Sequence, residues 1–401
     1  MSIEYNVTNY KSKEDLLMKK KLLAVLLAGA MVLSMAACGA TPAPAEEAPA
    51  EAAPVEEAPA EEAEAPAEEA PAEEAPAGDM HFEIVSKGFQ HQYWQAVLKG
   101  AENKAKELGV TINFVGPNTE SDIADQVQML NNAINAKPAA IGLAALDTQA
   151  LLDTIQASKD AGIPIIGFDS GVPDAPEGAV LANCATDNYA AGALAAESAY
   201  PAMADKVAAG GVRIGVLAQD ATSESIIQRG LGFIDKIAEL IEADGKTVNV
   251  EGNDKYVGDT TANKTDGADV TIEVRVPAQV DSALLATECA TLLNKEDTIA
   301  VYGSNQGSAE GMVTANENLQ KFGADGVIAI GFDSGQVVKA AVADGTFLGA
   351  VTQAPVAMGE YLVDLLHKAA NGEAVSDVDT GAQWYTADNM EDPEIAQNLY
   401  D

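Results

Sequence analysis

The pentapeptide Gly-Phe-Asp-Ser-Gly occurs twice in this chain, at 167–171 and at 331–335. Each copy follows a short, largely β-branched apolar run, Ile163-Pro164-Ile165-Ile166 in the first case and Val327-Ile328-Ala329-Ile330 in the second. Such runs read as buried parallel strands, and in open α/β sheets a ligand sits beyond the carboxyl ends of the strands. The pattern therefore predicts Asp169 and Asp333 at the mouths of two sheets, where a carboxylate can take charge-assisted hydrogen bonds from a polar solute. One such Asp would serve equally well to cap a helix or close an Asx turn. Two copies at matching strand ends point instead to two lobes with a cleft between them.

The elements that must position these groups alternate along the chain. Strands are expected at 81–86, 110–115, 139–144, 163–169 and 179–184, with helices at 92–108, 121–135 and 149–161 between them. After Asp187-Asn188 the alternation restarts: helix 190–198, strand 211–217, helices 224–243 and 281–293, strand 299–303, helix 307–321 and strand 327–333. Strand 347–353, helix 355–370 and a short segment at 383–386 complete it. This alternation predicts doubly wound parallel sheets. The stretch 246–277 is less regular, with turn signals at Gly252-Asn253-Asp254 and Lys264-Thr265-Asp266-Gly267. Within it the run 270–276 alternates like a strand, and the stretch reads as a polar, solvated hairpin inserted on the surface; its aspartates lack the spacing of a calcium loop.

The 401 residues carry a formal net charge of −39, which makes nucleic acid a poor partner. Three cysteines, Cys38, Cys184 and Cys289, are too few for a disulfide framework or a cysteine-rich metal site. Cys184 on an apolar strand and Cys289 on an apolar helix face are expected in different lobes, as two buried thiols. The three histidines, His81, His91 and His367, have no zinc-type spacing, and neither a Gly-x-Ser-x-Gly elbow nor a phosphate loop is present. No enzyme signature, cofactor motif or metal site emerges.

The amino end reads as a delivery device. A basic cluster, Met18-Lys19-Lys20-Lys21, precedes an apolar run over 22–35 and the small residues Ala36-Ala37 before Cys38. This is the order of a secretory signal, and the run is too short for a normal spanning helix. It resembles a bacterial lipoprotein signal, with Cys38 as the lipidated residue. Acidic residues Glu4, Glu14 and Asp15 ahead of the basic cluster mark Met18 as the expected initiator in place of Met1. Residues 39–79 are almost entirely Ala, Pro and Glu. They hold too little apolar surface to offset ordering and are expected to form a disordered tether, spanning roughly 120 Å if extended like polyproline.

The stretch Ser86-Lys87-Gly88-Phe89-Gln90-His91-Gln92-Tyr93-Trp94, followed by Lys99-Gly100-Ala101-Glu102, resembles the first strand, loop and helix of the sugar-binding proteins of ABC importers, of the ribose- and galactose-binding type. Further matches follow in family order: Gly167-Phe168-Asp169, Thr186-Asp187-Asn188, Arg229-Gly230-Leu231-Gly232-Phe233, Ser304-Asn305-Gln306, Gly331-Phe332-Asp333 and Val351-Thr352-Gln353. The resemblance spans nearly all of 80–387. It implies two Rossmann-like lobes, 80–187 plus 354–380 and 188–353 plus 381–401, joined by three crossovers near Asp187, Gln353-Ala354 and Thr380-Gly381. It implies a sugar held by His91, Tyr93, Trp94, Asp169, Asn305, Asp333 and Gln353. Planar amides and carboxylates suit neighbouring hydroxyls, and the aromatic pair suits the apolar face of a sugar ring. Two arginines frequent in relatives are absent, with Ser170 and Ile227 in their places. Gln90, Ser170, Gln228 and Gln279 are further candidate contacts that would read the hydroxyls differently.

The implied function is a monomeric, extracytoplasmic lipoprotein that closes over one monosaccharide and delivers it to an ABC permease in the cell membrane. Two alternatives keep the fold: a nucleoside or furanoside ligand, or a chemosensory partner in place of a transporter. A remote one makes Asp169 and Asp333 the carboxylate pair of a glycoside hydrolase.

Overall fold

The computed structural model describes residues 80–401. The signal, the lipidation site at Cys38, the tether and the choice between Met1 and Met18 all lie outside the described residues. Among the described residues no helix is long and apolar enough to cross a membrane.

The chain first lays down β1 (His81–Val85), α1 (Gln92–Leu108), β2 (Thr111–Val115), α2 (Ile123–Ala136), β3 (Ala140–Leu143), α3 (Leu152–Asp160), β4 (Ile165–Phe168) and β5 (Val180–Ala185). It then passes to α4 (Asn188–Ala209), β6 (Val212–Leu217), α5 (Glu224–Ala243), β7 (Val248–Gly252), α6 (Asp254–Asp259), β8 (Val270–Arg275), α7 (Ser282–Leu293), β9 (Thr298–Gly303), α8 (Gln306–Leu319), β10 (Ile328–Phe332), α9 (Gln336–Ala343) and β11 (Gly349–Gln353). Last come α10 (Pro355–Ala370), β12 (Val378–Asp379), β13 (Ala382–Tyr385) and α11 (Pro393–Ala396).

Two sheets result. One has six strands in the order β12-β5-β4-β3-β1-β2, and the other seven in the order β13-β11-β10-β9-β6-β8-β7. All pairings are parallel except β13 on β11. The chain therefore passes between sheets after β5, after β11 and between β12 and β13. The three passages are hydrogen-bonded to one another. The Thr186 hydroxyl donates to Gln353 Oε1 at 3.0 Å and lies 3.3 Å from Thr380 Oγ1.

Segment 246–277 is not a surface hairpin. Val248, Val250, Val270, Ile272 and Val274 are buried, as is Tyr256 between them, so this stretch forms a parallel β7–α6–β8 crossover on the edge of the second sheet. The turn signals were real but mark an element start: Asn253 caps α6 by accepting from Lys255 N. Helix α4 also runs past the expected stop at Ser198 and through Pro201. Pro201 is exposed, so the carbonyl left without a donor can face water. Helix α9, absent from the sequence reading, follows Gly335.

Each lobe has one helix crossing with almost no space in it. A Cβ at Gly100 on α1 would stand 1.9 Å from Val356 O on α10, and one at Gly359 on α10 would stand 2.0 Å from Val97 O. Where α4 crosses α5, a Cβ at Gly192 would stand 2.1 Å from Arg229 O and one at Gly232 would stand 2.0 Å from Tyr189 O. Cys184 and Cys289 are fully buried, in the cores of different lobes. Burial pushes both thiols up to about 12. At pH 8 iodoacetamide should therefore leave both unmodified in the folded protein and label both in denaturant; labelling at equal rates in the two conditions would contradict this packing.

Candidate functional site

Asp169 and Asp333 each stand directly beyond a central strand, β4 and β10. Both adopt left-handed backbone, with φ of 56° and 70°, which is uncommon for a side chain other than glycine and tolerated best by Asn and Asp. Each backbone N–H still reaches the next strand, Asp169 N to Cys184 O at 3.0 Å and Asp333 N to Val351 O at 2.6 Å. The ladder is thus extended by one residue while the carboxylate is turned off the sheet. The two aspartates share one pocket between the lobes, and both are buried.

The charges that meet them come from residues that the sequence reading left unassigned. The guanidinium of Arg229, on α5, lies between the pair, with Nη2 3.9 Å from Asp169 Oδ1 and Nη1 3.7 Å from Asp333 Oδ2. It is held there by donating Nε–H to Asn188 Oδ1 at 2.8 Å and by stacking on Phe332, with Cζ 4.3 Å from the ring centroid. Lys87, just after β1, places Nζ 3.2 Å from Asp169 Oδ2 and donates to Ser225 Oγ of the other lobe at 3.0 Å. Ser170 and Ile227, at the positions of the absent arginines, are buried; the positive charge enters from two different elements.

The remaining bonds divide the pocket into two halves. Tyr93 OH donates to Asp169 Oδ1 at 2.8 Å. Asp333 accepts from Gln353 Nε2 at 2.6 Å and from the Gln306 backbone N–H at 3.0 Å, at the start of α8. Opposite them, Glu120 accepts from Trp94 Nε1 and from Gln219 Nε2, each at 2.7 Å, and Gln219 Oε1 accepts from Asn305 Nδ2 at 2.6 Å. His91 Nε2 is 4.0 Å from Glu120 Oε1, and His91 Nδ1 is buried without a partner.

Burial alone would lower the Lys87 pKa, but Asp169, Glu120 and Asp220 outweigh it and hold the ammonium above the usual lysine value. Burial likewise opposes the charge on Arg229, and Asp333 and Asp169 restore it. Asp333 moves the other way. Desolvation raises its carboxyl above the ordinary range, and Arg229, Gln353 and Gln306 only partly offset that.

Of the expected contacts, His91, Tyr93, Trp94, Asp169, Asn305, Asp333 and Gln353 all line this pocket. Tyr93 and Trp94 do so together, with rings edge to face at 5.0 Å. The further candidates do not. Gln228 faces along its own helix and donates to Glu224, and Gln279 is exposed ahead of α7. Gln90 is exposed too, accepting from Glu120 N, while Ser170 Oγ accepts from Ser225 N and serves the contact between lobes. Lys87, Glu120, Arg229, Gln306 and Ile226 line the pocket as well. Lys87 and Arg229 carried a signal, being rare cations inside the motifs of a chain with only 23 Lys and Arg. Glu120 carried none; it sits in the loop between β2 and α2.

The pocket is nearly closed. Its volume is about 20 Å³, room for little more than one water. Its polar wall pairs largely with itself across the lobes.

Known proteins of similar sequence and shape share this architecture. The solved ABC transporter, LacI family transcriptional regulator from Brachyspira murdochii is 38% identical, with a TM-score of 0.67 over 80% of this chain and 99% of its own. An ABC transporter solute-binding protein from Agrobacterium vitis, solved with bound D-fucose, is 32% identical, with a TM-score of 0.66 over 80% of this chain and 100% of its own. The D-allose-binding periplasmic protein of Escherichia coli K12 is 23% identical over 314 residues, 77% of this chain and 90% of its own. The model of the periplasmic binding protein domain matches residues 82–374, and the chain belongs to that family.

Proposed function

We propose that this protein captures one monosaccharide between its lobes and hands it to an ABC permease, from a position outside the cytoplasm fixed by a lipid on Cys38 and the tether 39–79. The observation that carries the reading is the convergence of Asp169 and Asp333 on one pocket, with a guanidinium between them and two aromatic rings beside them. A sugar entering there finds acceptors in both carboxylates, donors in Lys87, Arg229, Asn305 and Gln353, and ring faces in Tyr93 and Trp94. The same fold relation to sugar-bound homologues supports it.

Binding requires motion, because a pyranose or furanose ring does not fit about 20 Å³. The lobes, 80–187 with 354–380 and 188–353 with 381–401, separate about the hydrogen-bonded passages at Thr186, Gln353 and Thr380 and close again on the solute. The bonds that close the empty cleft, such as Gln219 to Glu120, are exchanged for bonds to hydroxyls. No step of chemistry is assigned to the pocket.

Calorimetric titration of the purified protein with pentoses and hexoses tests the reading. One sugar of the panel should bind at a 1:1 ratio with a Kd well below millimolar. A panel with no binder, beside a nucleoside that does bind, would move the protein to the furanoside alternative; turnover of a glycoside would make it an enzyme.

A further inference from the structure

Residues 386–401 follow the last strand and belong by their anchors to the second lobe. Met390, Ile395 and Leu399 pack on the second lobe's core. The Thr352 hydroxyl of β11 donates to Asn398 O at 3.0 Å, and Asn398 Nδ2 donates to Gln383 Oε1 of β13 at 2.8 Å. Tyr400, two residues on, is held at both backbone ends: its N–H donates to Ser334 Oγ, and its carbonyl accepts from Gly335 N, each at 3.1 Å. Ser334 and Gly335 directly follow Asp333.

The Tyr400 side chain, however, packs with the first lobe. It is buried within that lobe's aromatic cluster, edge to face with Tyr93 at 6.1 Å. Its hydroxyl lies 3.3 Å from Ser334 N and 3.4 Å from Gln306 Oε1, and Gln306 Oε1 in turn accepts from the Tyr93 N–H at 3.3 Å. One ring therefore touches the residue that donates to Asp169 and braces the turn that carries Asp333.

We propose that residues 386–401 form a closure strap and that Tyr400 is a positioning residue of the cleft. Its backbone fixes the Asp333 turn whether the lobes are open or closed. Its ring finds the Tyr93 edge only when they are closed, so it favours the closed form. The link to affinity rests on the cleft being the sugar site proposed above; the link to closure does not.

The test follows closure and binding separately. Spin labels on Glu102→Cys and Glu317→Cys, exposed positions in different lobes, in a Cys38→Ser background, report the interlobe distance; Cys184 and Cys289 are fully buried and stay unlabelled. Tyr400→Ala should reduce the ratio of closed to open molecules about tenfold, since an aromatic pair contributes on the order of a kilocalorie beyond its buried area. Sugar affinity should fall by a similar factor, mainly through faster release. Tyr400→Phe keeps the ring and should stay within about threefold of wild type in both readouts, because only two long hydrogen bonds are lost. A strap that merely covers the second lobe would lower the unfolding temperature in Tyr400→Ala and leave the distance distribution and the release rate unchanged, which would overturn the inference. A protein whose closure depends on Tyr400 yet binds no sugar of the panel would support the strap and overturn the proposed ligand.

Discussion

Arg229→Met should weaken sugar binding a hundredfold or more and destabilise the protein by about 3–5 kcal/mol at pH 7, because removing one partner of a buried ion cluster leaves the others uncompensated. Among the described residues Arg229 is the only cation within 4 Å of both aspartates. Without it, Asp333 is left with no cation within 4 Å among the described residues, while Asp169 keeps only Lys87, and the two buried carboxylates face each other across a neutral thioether. The pH dependence distinguishes this from a simple packing loss. A buried carboxylate facing another has its folded-state pKa raised above the unfolded value of about 3.9. Asp333 is already raised in the wild type by desolvation. A group raised in this way favours the folded state fully below its unfolded pKa and loses that contribution as pH rises through its folded pKa. The deficit of Arg229→Met should therefore be largest near neutral pH and shrink as pH falls towards 4, in denaturant titrations run beside wild type. A deficit that is flat with pH, or that grows in acid, would refute the assignment. Arg229→Lys should fall between the two, since it keeps a charge but loses the planar fork and the stack on Phe332.

Gly359→Ala should lower the unfolding temperature by about 2–12 °C, taking an overpacking cost of 1–3 kcal/mol and a sensitivity of about 2–4 °C per kcal/mol for a domain of this size. The added methyl would stand 2.0 Å from a backbone carbonyl of α1, and backbone on neither side can rotate away as a side chain would. Helix α10 would have to lift from α1, and with it the return of the chain from the second lobe. Gly258→Ala is the matched control. Its Cβ meets nothing within 4 Å, and in the short helix α6 the substitution should leave the midpoint unchanged or slightly raised. Equal midpoints for the two variants, by scanning calorimetry, would show that the α1–α10 crossing can relax and that its closeness does not hold the lobe together.

The strand-tip aspartates were legible because two independent rules met at each: a β-branched run and an acidic residue at its carboxyl end. The aromatic pair was legible for a similar reason, opening a helix just after β1. The β7–α6–β8 crossover was misread because its turn residues dominate the local pattern, whereas the alternation of Val248 and Val250 with their buried neighbours in β8 gains meaning only when the two strands pair side by side. Arg229 was visible as part of a motif, yet its role depends on the α4–α5 crossing that carries it past Asn188 and onto Phe332. Glu120 and Gln219 lie in loops of opposite lobes and meet only through closure, which no local periodicity encodes. Tyr400 lies beyond the last recognised strand, where a sequence pattern gives no hint that a ring will cross to the other lobe.

The central claim is that both strand tips grip one solute. A crystal structure of the protein grown with the sugar that binds best in titration tests it most directly. The account predicts a single sugar between the lobes, with hydroxyls within hydrogen-bond distance of the carboxylates of both Asp169 and Asp333 and a ring face against Tyr93 or Trp94. A sugar bound outside this cleft, or held by one lobe with the other aspartate still paired to Arg229 alone, would contradict it.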